Sequence, residues 1–206
     1  MIAADRTFLV LLGAGRSSRF GAENKLEAEF LGKPVGLHVV TAFEDVPFLD
    51  RVAVVHDCAL DFASRGYRVL HNDSPDEGMA RSVRLGVEHA IACDADAVLI
   101  ALADMPRVTA AHVYRLLDAA DSADAVVASS DGVQPRPPAV FGRERFAFLT
   151  GLSGDAGARD LVRAGKHVVT APAELIDIDT PEDLERLRQL VHAPEALTRA
   201  GARRSD

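Results

Sequence analysis

Thr7-Phe8-Leu9-Val10-Leu11-Leu12, followed at once by Gly13-Ala14-Gly15-Arg16-Ser17-Ser18-Arg19-Phe20-Gly21-Ala22-Glu23-Asn24-Lys25, decides how the 206-residue chain is read. The first six residues are apolar or β-branched with no polar alternation, as expected of a strand covered on both faces. Glycines 13 and 15 then end it in a turn. Small residues in such a turn let backbone N–H groups approach a phosphate, and Arg16, Arg19 and Lys25 bring positive charge to the same place. The chain as a whole carries a net charge of -8, so this local cationic cluster stands out against an acidic background. A glycine turn with merely solvated basic residues is the plainer alternative.

Outward from this stretch, strands and helices alternate. Proline 34 opens a helix with Leu37, Val40, Thr41 and Phe43 at helical spacing, stopped at Pro47. A valine-rich strand over Arg51–His56, a helix over Ala59–Arg65 ending at Gly66, and a strand over Tyr67–His71 follow. Met79, Ser82/Val83, Gly86/Val87 and Ala90/Ile91 predict one small and apolar face on a helix from about Gly78 to Cys93. Ala97–Ala101 reads as the central strand, with Asp104 just beyond it. Thr109 is expected to cap a helix that turns Val113, Leu116 and Leu117 inward. Short strands over Ala125–Ala128 and Ala139–Phe141, helices over Arg143–Leu149 and Asp155–Ala164, a strand pair over Val168–Thr170 and Leu175–Ile178, and a helix over Pro181–Val191 complete the pattern. Strands alternating with helices imply an α/β fold around a mostly parallel sheet. Length points to one domain over residues 1–192. Residues 193–206 lack an apolar stripe and are expected to be a disordered tail.

Composition removes several classes of function. The longest apolar run, Ala97–Ala103, has seven residues, well short of the roughly 18 that a membrane span requires. The N-terminus has too short an apolar run before Gly13 to act as a secretory signal, so a cytoplasmic location is expected. Cys58 and Cys93 stand alone, without the paired spacing of a structural zinc site or disulfide framework. An acidic chain with no Trp and two Tyr offers neither a basic stripe nor stacking platforms for nucleic acid. The seven His show no HxxxH or HxH pair, so no metal centre of that kind is expected.

Two common phosphate motifs do not fit residues 13–25. A Walker loop requires GxxxxGK[ST], whereas Gly21 is followed by Ala22 and Lys25 by Leu26. A dinucleotide fingerprint could use Ser18 as its third small residue. Its acid should then lie about 20 residues onward, and the matching residue, Asp57, lies 42 beyond Gly15.

The sequence does resemble a known family. Leu12–Lys25 is similar to the signature L-A-A-G-x-S-x-R-x-G-x-x-K of molybdenum cofactor cytidylyltransferase-like proteins, nucleotidylyltransferases related to the molybdenum cofactor guanylyltransferases. Leu31-Gly32-Lys33-Pro34, Gly78-Met79-Ala80-Arg81-Ser82, Ala103-Asp104-Met105-Pro106, Pro137–Arg143, Gly154–Arg159 and Asp177–Leu184 follow in family order and carry the likeness from residue 7 to 190. The resemblance implies a Rossmann-like three-layer nucleotidyltransferase fold. It also implies transfer of CMP from CTP to a phosphorylated acceptor, molybdopterin foremost, with release of pyrophosphate. Gly13 departs from the family's usual Ala and is expected to loosen the turn. Ala14 favours CTP, because the guanylyl relatives carry Gly there.

Such a reaction needs excess negative charge held at the attacked phosphorus and on the leaving pyrophosphate. Lys25, Arg19 and the loop N–H groups around Gly15 are suited to the triphosphate, with Arg16 near the departing pyrophosphate, and backbone groups of Leu12, Gly13 and Ala14 are expected to read the base. Asp104, at the carboxyl end of the central strand, suits Mg2+, which takes a few carboxylates together with phosphate oxygens. Asp179 resembles the second carboxylate of some relatives, and equally fits a helix N-cap before Pro181; Asp177 is the lesser alternative. For Gly78 and Ser82 the resemblance implies contact with the nucleobase, against close helix packing as the plain alternative. Asp155 and Arg159 lie on the family's acceptor side, and Arg143 is a further candidate cation for the acceptor. A transient contact with a molybdoenzyme or its chaperone also follows from the resemblance. Two other readings stay open: an NAD(P)H-dependent oxidoreductase on the same scaffold, and a non-catalytic chaperone of the finished cofactor.

Overall fold

The computed structural model describes residues 1–15, 20–21, 24–154 and 158–192. Its centre is a seven-stranded sheet built from β1 (Thr7–Gly13), β4 (Asp50–Val55), β5 (Arg68–His71), β6 (Ala97–Leu102), β7 (Val126–Ser130), β8 (Pro135–Gly142) and β9 (Lys166–Val169), in the order β5-β4-β1-β6-β8-β7-β9. β2 (Glu29–Phe30) and β3 (Lys33–Pro34) form a separate antiparallel ribbon that the sequence pattern did not signal. Six α-helices accompany the strands: α1 (Val35–Ala42), α2 (Met79–Ala92), α3 (Ala110–Ala119), α4 (Phe146–Thr150), α5 (Arg159–Ala164) and α6 (Pro181–His192).

The expected runs at 7–12 and 97–101 become neighbouring central strands, buried along nearly their whole length, with Leu12 opposite Leu102. Period-2 alternation splits them between two cores. Leu9, Leu11, Leu99 and Ala101 pack with Val39, Val40 and Phe43 around α1 and with Val113, Leu116 and Leu117 of α3. Phe8, Val10, Val98 and Ile100 face Ala80, Val83, Val87 and Ala90 of α2 and Phe146 and Leu149 of α4. The result is helix, sheet, helix. Helix α2 lies so close on β1 that a Cβ on Gly86 would come within 2.3 Å of Val10 Cγ1, which accounts for glycine in mid-helix.

Pairings β5/β4, β4/β1, β1/β6 and β7/β9 are parallel, whereas β8 runs antiparallel to both β6 and β7. That reversal matters for the site. Along α2, the buried face follows Ala80, Val83, Val87 and Ala90, while Met79 and Ile91, both expected inside, are exposed. The expected helix over 59–65 is reduced to a 3-10 turn at Ala63–Arg65, closed by Gly66 at φ 80°. Asp61 Oδ1 accepts from Ser64 N there and Ser64 Oγ donates back to Asp61 O, so side chains compete with helical hydrogen bonding. Leu175–Ile178 is no strand: a 3-10 turn at Pro172–Leu175 leads into extended chain held by one bond, Ile178 N to Asp104 O at 2.9 Å. The 143–149 helix begins as a 3-10 turn at Arg143–Arg145 before α4, and Asp155, the start of the expected last-but-one helix, lies outside the described residues. So does the 193–206 tail. Among the described residues no helix is long and apolar enough to cross a membrane.

Candidate active site

The carboxyl ends of β1 and β6, the segment entering α2 and the segment entering α6 converge on one cleft of about 620 Å³. Open α/β sheets bind ligands at this edge. Leu12 to Gly15 form its floor beside Lys25, Leu102 and Asp104; Gly78, Met79 and Ser82 form one wall; Asp177, Asp179 and Arg159 face them. Ten of the fourteen site residues read from sequence therefore meet here. Arg16, Arg19 and Asp155 lie outside the described residues.

Arg143 does not meet them. Because β8 is antiparallel to β6, Gly142 pairs with Ala97, and Arg143 emerges at the amino edge of the parallel strands. There it is bound to the Ala95 carbonyl and to the Asp94 carboxylate. The other end of β8 reaches the ligand edge instead, where Arg136 pairs with Asp131 at 3.4 Å and with Asp177 at 3.6 Å.

At the heart of the cleft the Lys25 ammonium bridges two carboxylates, Asp104 Oδ2 at 2.6 Å and Asp179 Oδ1 at 2.8 Å. The lysine side chain is 9% exposed and that of Asp104 15%. The Ile178 N–H bond to Asp104 O draws the two acidic segments together, while the Ile178 side chain is buried with Phe30, Val35, Leu184 and Leu187. Burial pushes the Asp104 carboxyl above its ordinary range, Lys25 pulls it back, and Asp177 and Asp179 add to the rise. Burial also works against the Lys25 ammonium, but the attraction and hydrogen bonds of Asp104 and Asp179 outweigh it and hold this lysine above its ordinary value. Among the described residues the buried Asp104 Oδ1 has no hydrogen-bond partner.

At the start of α6 the residues next to Asp179 form the cap. Thr180 Oγ1 accepts from Asp183 N at 3.1 Å, and Asp183 Oδ2 accepts from Thr180 N at 2.9 Å, a reciprocal capping box that leaves the Asp179 carboxylate turned to Lys25. Gly13 also differs from expectation. It is the last residue of β1 rather than part of a loose turn, and a Cβ there would meet Leu26 Cδ1 at 3.0 Å. Gly78 opens α2 at φ 76°, a conformation that favours glycine. Ser82, only 4% exposed, accepts a hydrogen bond from Asn72 Nδ2. Sequence reasoning missed Asn72, although its place just past the end of β5 parallels that of Asp104 past β6.

A larger cleft of about 810 Å³ adjoins this one, lined by Asn24, Glu27, Ala28, Asp57, Cys58, Ala59 and His71. Among the described residues its charged lining is Glu27 and Asp57.

The comparisons with known proteins give the class of this chain, a nucleotidyltransferase. Residues 9–169 match the MobA-like NTP transferase domain, and the chain belongs to that family. The purine catabolism protein PucB of Bacillus subtilis is 34% identical over 199 residues, covering 87% of this chain and 95% of PucB. A phosphoenolpyruvate guanylyltransferase of Conexibacter woesei is 29% identical over 186 residues, covering 84% of this chain and 79% of that protein. Among solved structures, Rv0371c of Mycobacterium tuberculosis superposes with a TM-score of 0.72 at 26% identity, covering 89% of this chain and 97% of that one. Another structure of Rv0371c is a complex with manganese.

Proposed function

We propose that the protein transfers CMP from CTP to a phosphorylated acceptor, molybdopterin foremost, and releases pyrophosphate. The observation that carries this reading is the Lys25 ammonium lodged between Asp104 and Asp179 at the mouth of the central strands. In the reaction an acceptor phosphate oxygen attacks the α-phosphorus of the triphosphate, a new P–O bond forms, and the bond to the bridging oxygen breaks with both its electrons leaving on pyrophosphate. The floor residues Leu12 to Gly15 hold the chain of phosphates. Among the described residues, and leaving aside its chain neighbours, a Cβ on Gly15 would meet no atom within 4 Å, which leaves space for a ligand.

The described lining carries Asp76, Asp104, Asp177 and Asp179 beside Lys25 and Arg159, so carboxylates stand next to cations suited to phosphate. A divalent cation fits this lining. Asp104 Oδ1 is a buried oxygen in need of a partner, and Lys25 already shows that the space between Asp104 and Asp179 accepts positive charge. Asp104 and Asp179 would hold magnesium, which when bound supplies neutralisation of the phosphate oxygens. Lys25 then turns its ammonium from the carboxylates to phosphate. Arg159, exposed at the rim on α5, is suited to the acceptor's phosphate, and Arg136 takes the place first expected for Arg143.

Ala14, whose side chain is buried against the cleft, narrows the floor and favours a pyrimidine. A second reading, GTP as donor, is favoured by the guanylyltransferase relative. A magnesium-containing thermal-shift panel of CTP, UTP, GTP, ATP and NADPH separates them, because a ligand that binds only the folded state raises Tm by mass action. CTP should give the largest rise. The largest rise with GTP would overturn the base assignment, and a rise with NADPH alone would overturn nucleotidyl transfer.

A further inference from the structure

Asn72 is 1% exposed and fixed at every polar atom. Its backbone N–H donates to Val55 O at 2.9 Å, continuing the β4–β5 ladder, and its carbonyl accepts from His56 Nδ1 at 3.0 Å. Its side-chain Oδ1 accepts from the backbone N–H of Ser74 at 3.0 Å. That last bond fixes the amide's orientation, since a peptide N–H can only donate and must face the oxygen. The NH2 group therefore faces Ser82, 2.9 Å from its Oγ.

An NH2 group has no lone pair to offer, so Ser82 Oγ is the acceptor in this bond and its single hydrogen must point elsewhere. Among the described residues that hydrogen has no acceptor. Ser82 lies in the first turn of α2 and its side chain lines the cleft beside Met79 and Gly78. We propose that Asn72 is a positioning residue that sets the Ser82 hydroxyl as a hydrogen-bond donor into the cleft, where it reads an acceptor on the edge of the nucleobase. The proposal rests on the nucleotidyl-transfer reading and sharpens it. Cytosine presents two adjacent acceptors, O2 and N3, whereas the corresponding edge of guanine presents N1–H and N2–H donors. A donor facing donors leaves both unpaired, and polar groups left unpaired in a buried site discriminate strongly.

Asn72→Asp tests this with nearly unchanged shape. The carboxylate still accepts from Ser74 N–H but now also accepts from Ser82, turning the hydroxyl hydrogen away from the cleft. Binding is measured by calorimetry with magnesium for two probes: the nucleoside triphosphate that the wild type binds best, and inorganic tripolyphosphate, which has no base. We expect Asn72→Asp to weaken the nucleotide at least tenfold and tripolyphosphate less than twofold, with the nucleotide's KM rising and kcat within threefold of wild type. Ser82→Ala should weaken the nucleotide similarly, and the double variant should be no worse than either alone. An unchanged nucleotide affinity, or equal losses for both probes, would overturn the relay. Where Asn72→Asp does not fold, Ser82→Ala decides between these outcomes with the same pair of probes. A wild type that prefers GTP would overturn the cytidylyl assignment and, because guanine meets this hydroxyl with donors, the proposed base contact with it, whereas a preference for CTP that Asn72→Asp leaves unweakened would overturn the relay alone.

Discussion

Two buried polar clusters, built from similar parts, behave differently. One is Lys25 with Asp104 and Asp179; the other joins His112 of α3 to Ser129 of β7 and the Pro138 carbonyl of β8. In the second, Ser129 Oγ donates to Pro138 O at 2.7 Å, so it must accept from His112 Nε2–H at 2.8 Å; the chain of bonds runs from His112 Nδ1, buried without a hydrogen-bond partner among the described residues, to a backbone carbonyl. His112 is thereby held neutral, its pKa lowered by burial with help from Arg115. The first cluster keeps three charged groups, ends on an unpartnered carboxylate oxygen and opens into a cleft. A neutral network that leads to a backbone carbonyl away from the cleft ties elements together. A charged network with a loose end at the ligand edge holds something still to come.

The largest effect that could break this contrast is in the first cluster. Asp104→Asn should fold with a melting temperature near wild type and lose about a hundredfold or more in turnover, because a charge is removed without a change of volume. A large thermal defect with turnover intact would make both clusters structural. In the second cluster, Ser129→Ala should show the reverse, a loss of about 1–3 kcal/mol in urea unfolding from stranded partners, with unchanged turnover per folded molecule.

The same contrast shows what the sequence could disclose. The unbroken apolar runs of β1 and β6 announced a sheet buried on both faces, and Asp104 after such a run announced its ligand edge. Lys25 followed from the glycine turn. The fate of Arg143 was hidden because direction along a strand is not written in its composition: β8 reads like any short apolar strand, yet running antiparallel it brings Arg136 rather than Arg143 to the ligand edge, beside Asp177. Asp179 read equally as a cap, and only the Thr180–Asp183 bonds give that role to its neighbour. Asn72 acts through another side chain ten positions away, a contact that no local pattern encodes.

That cap gives a smaller, sharper test. Thr180→Ala should cost about 1 kcal/mol of stability with turnover preserved, whereas Asp179→Asn should lower turnover with a smaller thermal effect. The reverse pattern would return Asp179 to a capping role.

The smallest expected effect is a pH slope. Since the folded His112 pKa lies below the ordinary value near 6.5, the unfolded chain takes up this proton first as pH falls. Its contribution to stability is complete above about pH 6.5 and is lost as pH drops from there towards the folded value. Urea midpoints between about pH 5 and 7.5 should therefore fall more steeply for wild type than for His112→Gln. Parallel curves would show that His112 is not held neutral.

The most direct test of the central claim is pyrophosphate release in a mixture of CTP, magnesium and molybdopterin. The wild type should release pyrophosphate in step with formation of a cytidylylated acceptor, and Asp104→Asn should do so about a hundredfold more slowly. Equal rates for the two proteins, or release of pyrophosphate with GTP but not CTP, would contradict it.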